Sequence, residues 1–343
     1  MCHLCEQIDR MDAADRLRIE QSIDWLFGDD GIVERAKKKE KNPLINRDLV
    51  AFEVTLSDSL RKIADAEGDA AKTWLMKFLD ESFTVTDASA KELVEMVSTF
   101  YPHIGSAIAE SAVPVTEETA QEIIRLARKH IAVKPAFSKL PEDWAMTWNL
   151  RDDRALEALA RKPAMWIGDY YSGPKIDQVR AIVDSAMAKG LGRDQTAALL
   201  KEALGVTFDD YRYWDVLSSS VTTKARSWSI LTGMQDAGYE VYIWHAAGDE
   251  RSCESCLAMD GREFSVAKAI RNIEATFDLE DKDQAKDKLP WLSWDPERKD
   301  MYYKKGDRSV YVGNRGSESL QNSGIGTPPL HGRCRCTLVL AEQ

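Results

Sequence analysis

Apolar residues recur at helical spacing along most of the first 150 positions, with charged residues filling the positions between them. Over 13–27, Leu17, Ile19, Ile23 and Leu26 mark one face, and Gly28 follows as a stop. Over 49–66, Val50, Phe52, Val54, Leu56, Leu60 and Ile63 repeat the pattern, and shorter helical segments are predicted over 74–79 and 93–100. A fresh helix is expected to open at Pro114, with Thr116 as N-cap and Glu117 and Glu118 in the first turn. Arg125, Arg128 and Lys129 lie toward its far end, the order that a helix macrodipole favours.

The text changes over 134–174, where Pro135, Pro141, Pro163 and Pro174 punctuate a cluster of aromatics: Trp144, Trp148, Trp166, Tyr170 and Tyr171. This predicts a connector with one short helix over 153–161, its aromatics serving packing more than ligand binding. Helical spacing returns over 175–189 and 196–204, and a long helix over 208–237 is expected to stop at Gly238. The segment 239–245 then alternates β-branched and aromatic residues as a strand does, and 334–340 alternates as a closing strand. Between them the chain reads as irregular, with charged stretches over 278–288 and 295–305 and a Gly/Ser/Asn-rich segment over 312–326. The expected fold class is α+β: a mainly helical N-terminal part, then a small mixed α+β C-terminal domain with short strands and Cys/His knuckles. The expected organisation is a helical docking or assembly domain over 1–140, a connector and helix over 141–189, and a C-terminal domain over 190–343.

Charge narrows the partners. Across 343 residues, 46 Lys and Arg against 57 Asp and Glu give a formal net charge of −11. An acidic body repels the phosphate backbone, whose neutralisation drives most non-specific nucleic-acid binding. The basic run from Arg35 to Lys41 is the exception, and it reads as a solvated helix face before a DNA contact. No stretch reaches the roughly 18 apolar residues that a transmembrane helix needs, and the opening residues lack the apolar region of a signal peptide. The chain is therefore expected to be made and kept in a cytoplasm, with no membrane partner.

The six cysteines fall in three tight pairs, Cys2/Cys5, Cys253/Cys256 and Cys334/Cys336. In a cytoplasmic chain such pairs suggest metal ligation more than disulfides. Cys253-Glu254-Ser255-Cys256 is a C-x2-C knuckle, which brings two thiolates to one ion from a tight turn. His331-Gly332-Arg333-Cys334-Arg335-Cys336 adds an imidazole and two thiolates, and in an extended chain Cys334 and Cys336 share one face. Cys253, Cys256, His331, Cys334 and Cys336 thus offer five ligands to a tetrahedral ion that takes four, zinc if any. Reduced structural thiols and a disulfide formed outside the cytoplasm are the other two readings. A Cys-rich closed set staples a fold more readily than it activates water. Cys2 and Cys5 have no evident partner pair.

Two signature segments resemble a known family. The run Trp244-His245-Ala246-Ala247-Gly248-Asp249-Glu250-Arg251-Ser252-Cys253-Glu254-Ser255-Cys256, then Asp260-Gly261 and Phe264, looks like the first half of the Mu F-like phage head morphogenesis domain. Pro328-Pro329-Leu330-His331-Gly332-Arg333-Cys334-Arg335-Cys336 looks like its closing half. The resemblance covers roughly 190–340 and includes the helix before Gly238, where Thr222-Thr223-Lys224-Ala225-Arg226-Ser227 departs from the family's usual element. It implies a minor capsid component, associated with the portal and the inside of the head, acting in head assembly and in DNA packaging or ejection. Portal and capsid proteins would be its partners, with weak contact to packaged DNA and no small-molecule substrate. Locally, Asp249 and Arg251 read as loop-holding groups, Arg333 and Arg335 as partners for Asp249 or Asp260, and His245 with Asp249 as an unremarkable base–carboxylate spacing.

Two readings from other classes stand beside this one. A Mu F-like module can be fused to a toxin or transferase, yet the chain carries no P-loop, G-x-S-x-G or H-E-x-x-H motif. A zinc-stabilised DNA-binding module would need the 35–41 run and the Arg333/Arg335 corner to form a basic patch against the overall charge.

Overall fold

The computed structural model describes residues 47–78, 87–172, 181, 185, 208–246, 252–306, 308–313, 315–332 and 334–341. The helix predicted over 13–27, the basic run 35–41, Cys2 and Cys5, and nearly all of 175–207 lie outside the described residues. The observed class is the expected α+β.

Four long helices form the first layer: α1 (Arg47–Phe78), α2 (Asp87–Ala132), α3 (Leu150–Ser172) and α4 (Phe208–Asp236). The sequence breaks this region into shorter pieces than the fold does. Pro114 does not open a helix and Thr116 does not cap one: α2 runs unbroken for 46 residues through both Pro102 and Pro114, and Thr116 is buried along it. An interior proline costs about 3 kcal/mol. Against that, Ile104, Ile108, Ala112, Ala120, Ile124 and Ile131 form one stripe buried in the core, and each fully buried large aliphatic side chain contributes roughly 1.5–3 kcal/mol. Tertiary burial outweighs the local signal. Likewise, the short helix expected over 153–161 is the middle of the 23-residue α3, which continues through Pro163. The Asn149 side chain starts it, accepting from the Arg151 and Asp152 amides at 2.9 and 3.2 Å.

Helix α4 is the axis of the molecule and packs against α1, α2 and α3. It is rich in buried hydroxyls, and several bond back to the preceding turn: Thr222 to the Ser218 carbonyl at 2.9 Å, Thr232 to that of Trp228 at 3.0 Å. Small, self-satisfied side chains let neighbouring helices come close. Trp144 reaches across Gly233, where an added Cβ would lie 2.9 Å from the indole ring. The helix ends as predicted. Gly238 has φ +82°, Tyr239 donates to the Met234 carbonyl at 2.8 Å, and Gly238 donates to that of Gln235 at 3.0 Å, which together make a Schellman cap.

Beyond the cap comes β1 (Val241–His245), followed by α5 (Glu254–Met259), β2 (Glu263–Ser265), α6 (Val266–Glu274) and α7 (Lys282–Lys288). Then follow β3 (Ser293–Asp295), β4 (Asp300–Lys305), β5 (Arg308–Tyr311), α8 (Ser317–Asn322) and β6 (Thr337–Leu340). The two charged stretches, read as irregular, are a helix and an antiparallel meander. Asp281 caps α7 by accepting from the Asp283 and Gln284 amides. Two antiparallel sheets result, ordered β2-β1-β6 and β3-β4-β5. One hydrophobic cluster runs from Leu56 in α1 through Trp214 and Trp228 in α4 to Leu338 in β6. No described helix is long and apolar enough to cross a membrane.

Candidate metal centre

Strand register explains how cysteines so far apart in sequence meet. In the β1/β6 ladder Tyr242 faces Leu340 and His245 faces Thr337, so the end of β1 lies beside the start of β6. The chain leaving β1 carries Cys253 and Cys256; the chain entering β6 carries His331, Cys334 and Cys336. Cys253 is the extended residue before α5, and Cys256 sits in that helix's first turn with its side chain buried. Their spacing is held by the Leu257 amide, which donates to the Cys253 carbonyl at 3.0 Å. Asp260 anchors the other end of the turn: its carboxylate accepts from the Ala246 amide at 2.8 Å and lies 3.2 Å from His245 Nδ1. Asp260 is thus engaged by His245 and Ala246. Asp249, Arg251 and Arg333 lie outside the described residues.

The five predicted ligands fall into two groups of three that share Cys256. His331 Nε2 lies 3.1 Å from Cys253 Sγ and 3.0 Å from Cys256 Sγ, and Cys256 Sγ lies 3.9 Å from Cys334 Sγ. Donor atoms of Cys253, Cys256 and His331 fall within 4.8 Å of one another, as do those of Cys256, Cys334 and Cys336. Cys256 is common to both groups and stands at the centre. Cys256, Cys334 and Cys336 are buried, Cys253 and His331 partly so. None of the four described cysteines is in a disulfide.

This donor set fits a tetrahedral ion such as zinc. Thiolates at about 2.3 Å from such an ion stand about 3.8 Å apart, and the Cys256–Cys334 separation matches that edge. The imidazole is oriented for the task as well. His331 Nδ1 lies 2.7 Å from the Gly332 carbonyl, a contact that places a proton on Nδ1 and turns Nε2 toward the sulfurs. Ligating histidines commonly hold their second nitrogen in this way. The His331–sulfur contacts, at 3.0–3.1 Å, are hydrogen-bond lengths, shorter than a coordination edge.

The electrostatics agree. A hydrogen bond from Cys256 holds the Cys253 thiol down to about 4, helped by His331. The same central thiol, with Cys336, holds Cys334 well below the ordinary thiol range. Cys256 is pushed up as the donor to Cys253, Cys334 and Cys336. At Cys336 the Cys256 contact pulls downward, and the Cys334 hydrogen bond and burial outweigh it, so the thiol is raised. Burial works against the His331 imidazolium, yet the Cys253 and Cys334 thiolates lift it to about 9. The pocket therefore carries concentrated negative charge that protons neutralise when no cation does, the condition under which metal binding displaces protons.

Sequence reasoning missed the supports from α4. Thr223 Oγ1 donates to the Cys334 carbonyl at 3.0 Å, and Arg226 Nη2 donates to that of Cys336 at 2.7 Å. Both belong to the run 222–227 that departs from the family's usual element, and that departure was the only available signal. Gly332 completes the fit, since an added Cβ there would lie 2.8 Å from Val216 Cγ1 on the same helix.

A three-stranded antiparallel sheet, closed onto a helix by a Cys/His cluster that ties its first strand to its last, defines the class of this C-terminal module. Residues 177–339 match the model of a family described as phage Mu protein F like protein. No curated protein and no solved structure matches the chain.

Proposed function

We propose that the chain is a phage minor capsid protein acting in head morphogenesis, a structural component of the virion. The family match over 177–339 carries this reading. Within it, residues 1–140 dock the protein to portal and capsid proteins, 141–189 connect, and 190–343 form the Mu F-like domain. The protein would act in head assembly and in DNA packaging or ejection, moving from the host cytoplasm to the inside of the head. Its acidic balance supports protein contacts over duplex wrapping, with only weak contact to packaged DNA.

In this reading Cys253, Cys256, His331, Cys334 and Cys336 supply the four ligands of one structural zinc, and the protein is not an enzyme. Zinc in such a site cross-links the strand ends and leaves no open position for water. A donor set rich in thiols favours this closed role. The test is co-purification of tagged protein with portal and capsid protein during infection. Association and presence in mature heads are expected. Protein that stays free of both, and heads that assemble fully without it, would overturn the proposal.

A further inference from the structure

Helices α3 and α4, residues between 273 and 291, and the segment 324–330 line a cleft that is partly open to solvent. It adjoins a second space, and Leu159, Lys162, Trp166, Lys224 and Trp291 line both. These walls are largely aromatic and aliphatic. The Trp166 and Trp291 rings are nearly parallel, 14° apart with centroids 6.2 Å from each other, and Trp228 lies further along. Two ammonium groups stand in this apolar setting. Lys162 donates to Thr276 Oγ1, and no described group pairs with Lys224. Among the described residues no acidic side chain lines either space. At the rim Lys286 pairs with Asp283 and lies 4.6 Å over the Trp166 ring.

Two neighbouring cations with no counter-charge among the described residues are costly in an apolar cleft, because both desolvation and mutual repulsion disfavour the charged forms. The strain registers on each: burial and the nearby Lys224 charge push Lys162 down to about 7, and burial pushes Lys224 down to about 8. Structural packing would be served better by Leu or Met at either position. What uses this arrangement is an anion. Mostly apolar, concave walls with a few convergent polar groups are the usual make-up of a small-molecule site.

We propose that this cleft is a binding site for a small organic anion, its carboxylate or phosphate head held between Lys162 and Lys224 and its flat apolar body lying against Trp166, Trp228 and Trp291. The ligand is bound, not turned over. Its charge supplies what the cleft lacks, and its body displaces water from apolar walls.

Calorimetric titration of the full chain with indole-3-acetate, neutral indole, inorganic phosphate, phenyl phosphate and a short single-stranded oligonucleotide tests this. Indole-3-acetate or phenyl phosphate should bind at least about tenfold more tightly than indole, a difference of about 1.4 kcal/mol. Which of the two binds better identifies the head group. Binding should take up protons near neutral pH, read as a dependence of the heat on the buffer's ionisation enthalpy. Lys224→Met and Lys162→Met should abolish the preference for the anion. Each should also unfold at a higher temperature than the parent without ligand, which separates lost binding from lost folding. Should a Met variant fail to fold, Lys224→Arg keeps the charge and should keep the preference. Equal affinity for indole and indole-3-acetate, no binding of any small anion at millimolar concentration, phosphate binding as tightly as phenyl phosphate, or binding of the oligonucleotide alone would each overturn the assignment.

Discussion

The Arg128 guanidinium lies 2.5 Å from the Asp152 carboxylate, and both side chains are almost fully buried between α2 and α3. Several neighbours support the pair. Arg128 also donates to the Thr147 carbonyl at 2.6 Å and lies over the Trp144 and Trp148 rings. Asp152 accepts from Trp228 Nε1 at 3.3 Å and from the Asn149 amide at 3.2 Å. Removing one partner leaves the other charged and buried, which typically costs about 3–5 kcal/mol. Asp152→Ala should therefore lower the urea midpoint sharply, while Arg128→Met with Asp152→Leu should recover most of the loss. A double variant no better than the single one would show that packing, not charge, dominates.

Purified under reducing conditions, the protein should carry one zinc per chain by elemental analysis. Cys256→Ser should lose it, because that thiol belongs to both donor groups. Cys253→Ser, at the more exposed edge of the cluster, should weaken retention against a chelator more mildly. Parent protein with only trace metal would remove the zinc reading.

Without metal, stability should follow pH in a direction that the thiols set. Cys253, held down to about 4, and Cys334, held down likewise, contribute stability that is complete above the ordinary thiol value and lost as pH falls toward their folded values. His331, raised to about 9, contributes stability complete below its ordinary 6.5 and lost as pH climbs through about 9. Cys256 and Cys336, both raised, lose their contribution as pH rises above the ordinary thiol range. Two depressed thiols outnumber one raised imidazole below that range. Chelated, reduced protein should therefore gain stability from about pH 4 to about pH 9 and lose it beyond. Urea midpoints across that span check this, and a monotonic fall with rising pH would contradict it.

Gly238→Ala tests the cap that delivers β1. A residue with a Cβ in the left-handed region costs roughly 1–2 kcal/mol, and space is not the issue, since nothing lies within 4 Å of an added Cβ there. The midpoint of thermal unfolding should drop with no change in metal content.

The features legible in the sequence were those decided locally. Gly238 ended a helix because only the residue at that position needed the left-handed conformation, and the strand after it followed from alternation. The paired cysteines pointed to one cluster without saying why it closes, because the β1/β6 register is a property of two strands separated by most of the domain. Helix α2 was misread at Pro114 since a proline's cost is local and visible, whereas the burial of Ile108, Ile123 and Ile124 that overrides it is neither. The meander of β3, β4 and β5 hid in charged text because few of its side chains are buried. The lysine cleft left no trace at all, its lining being drawn from α3, α4 and several loops.

The neighbouring ends of β1 and β6 give the module a direction under mechanical load. Tension applied through the flanking chain pulls Tyr242 from Leu340 first and peels the ladder open pair by pair toward His245 and Thr337. The peeling front then meets Cys253, Cys256, His331, Cys334 and Cys336. With zinc bound, the proposed cluster acts as a stop, keeping the whole excursion from α5 to α8 slack while the strands that frame it are strained.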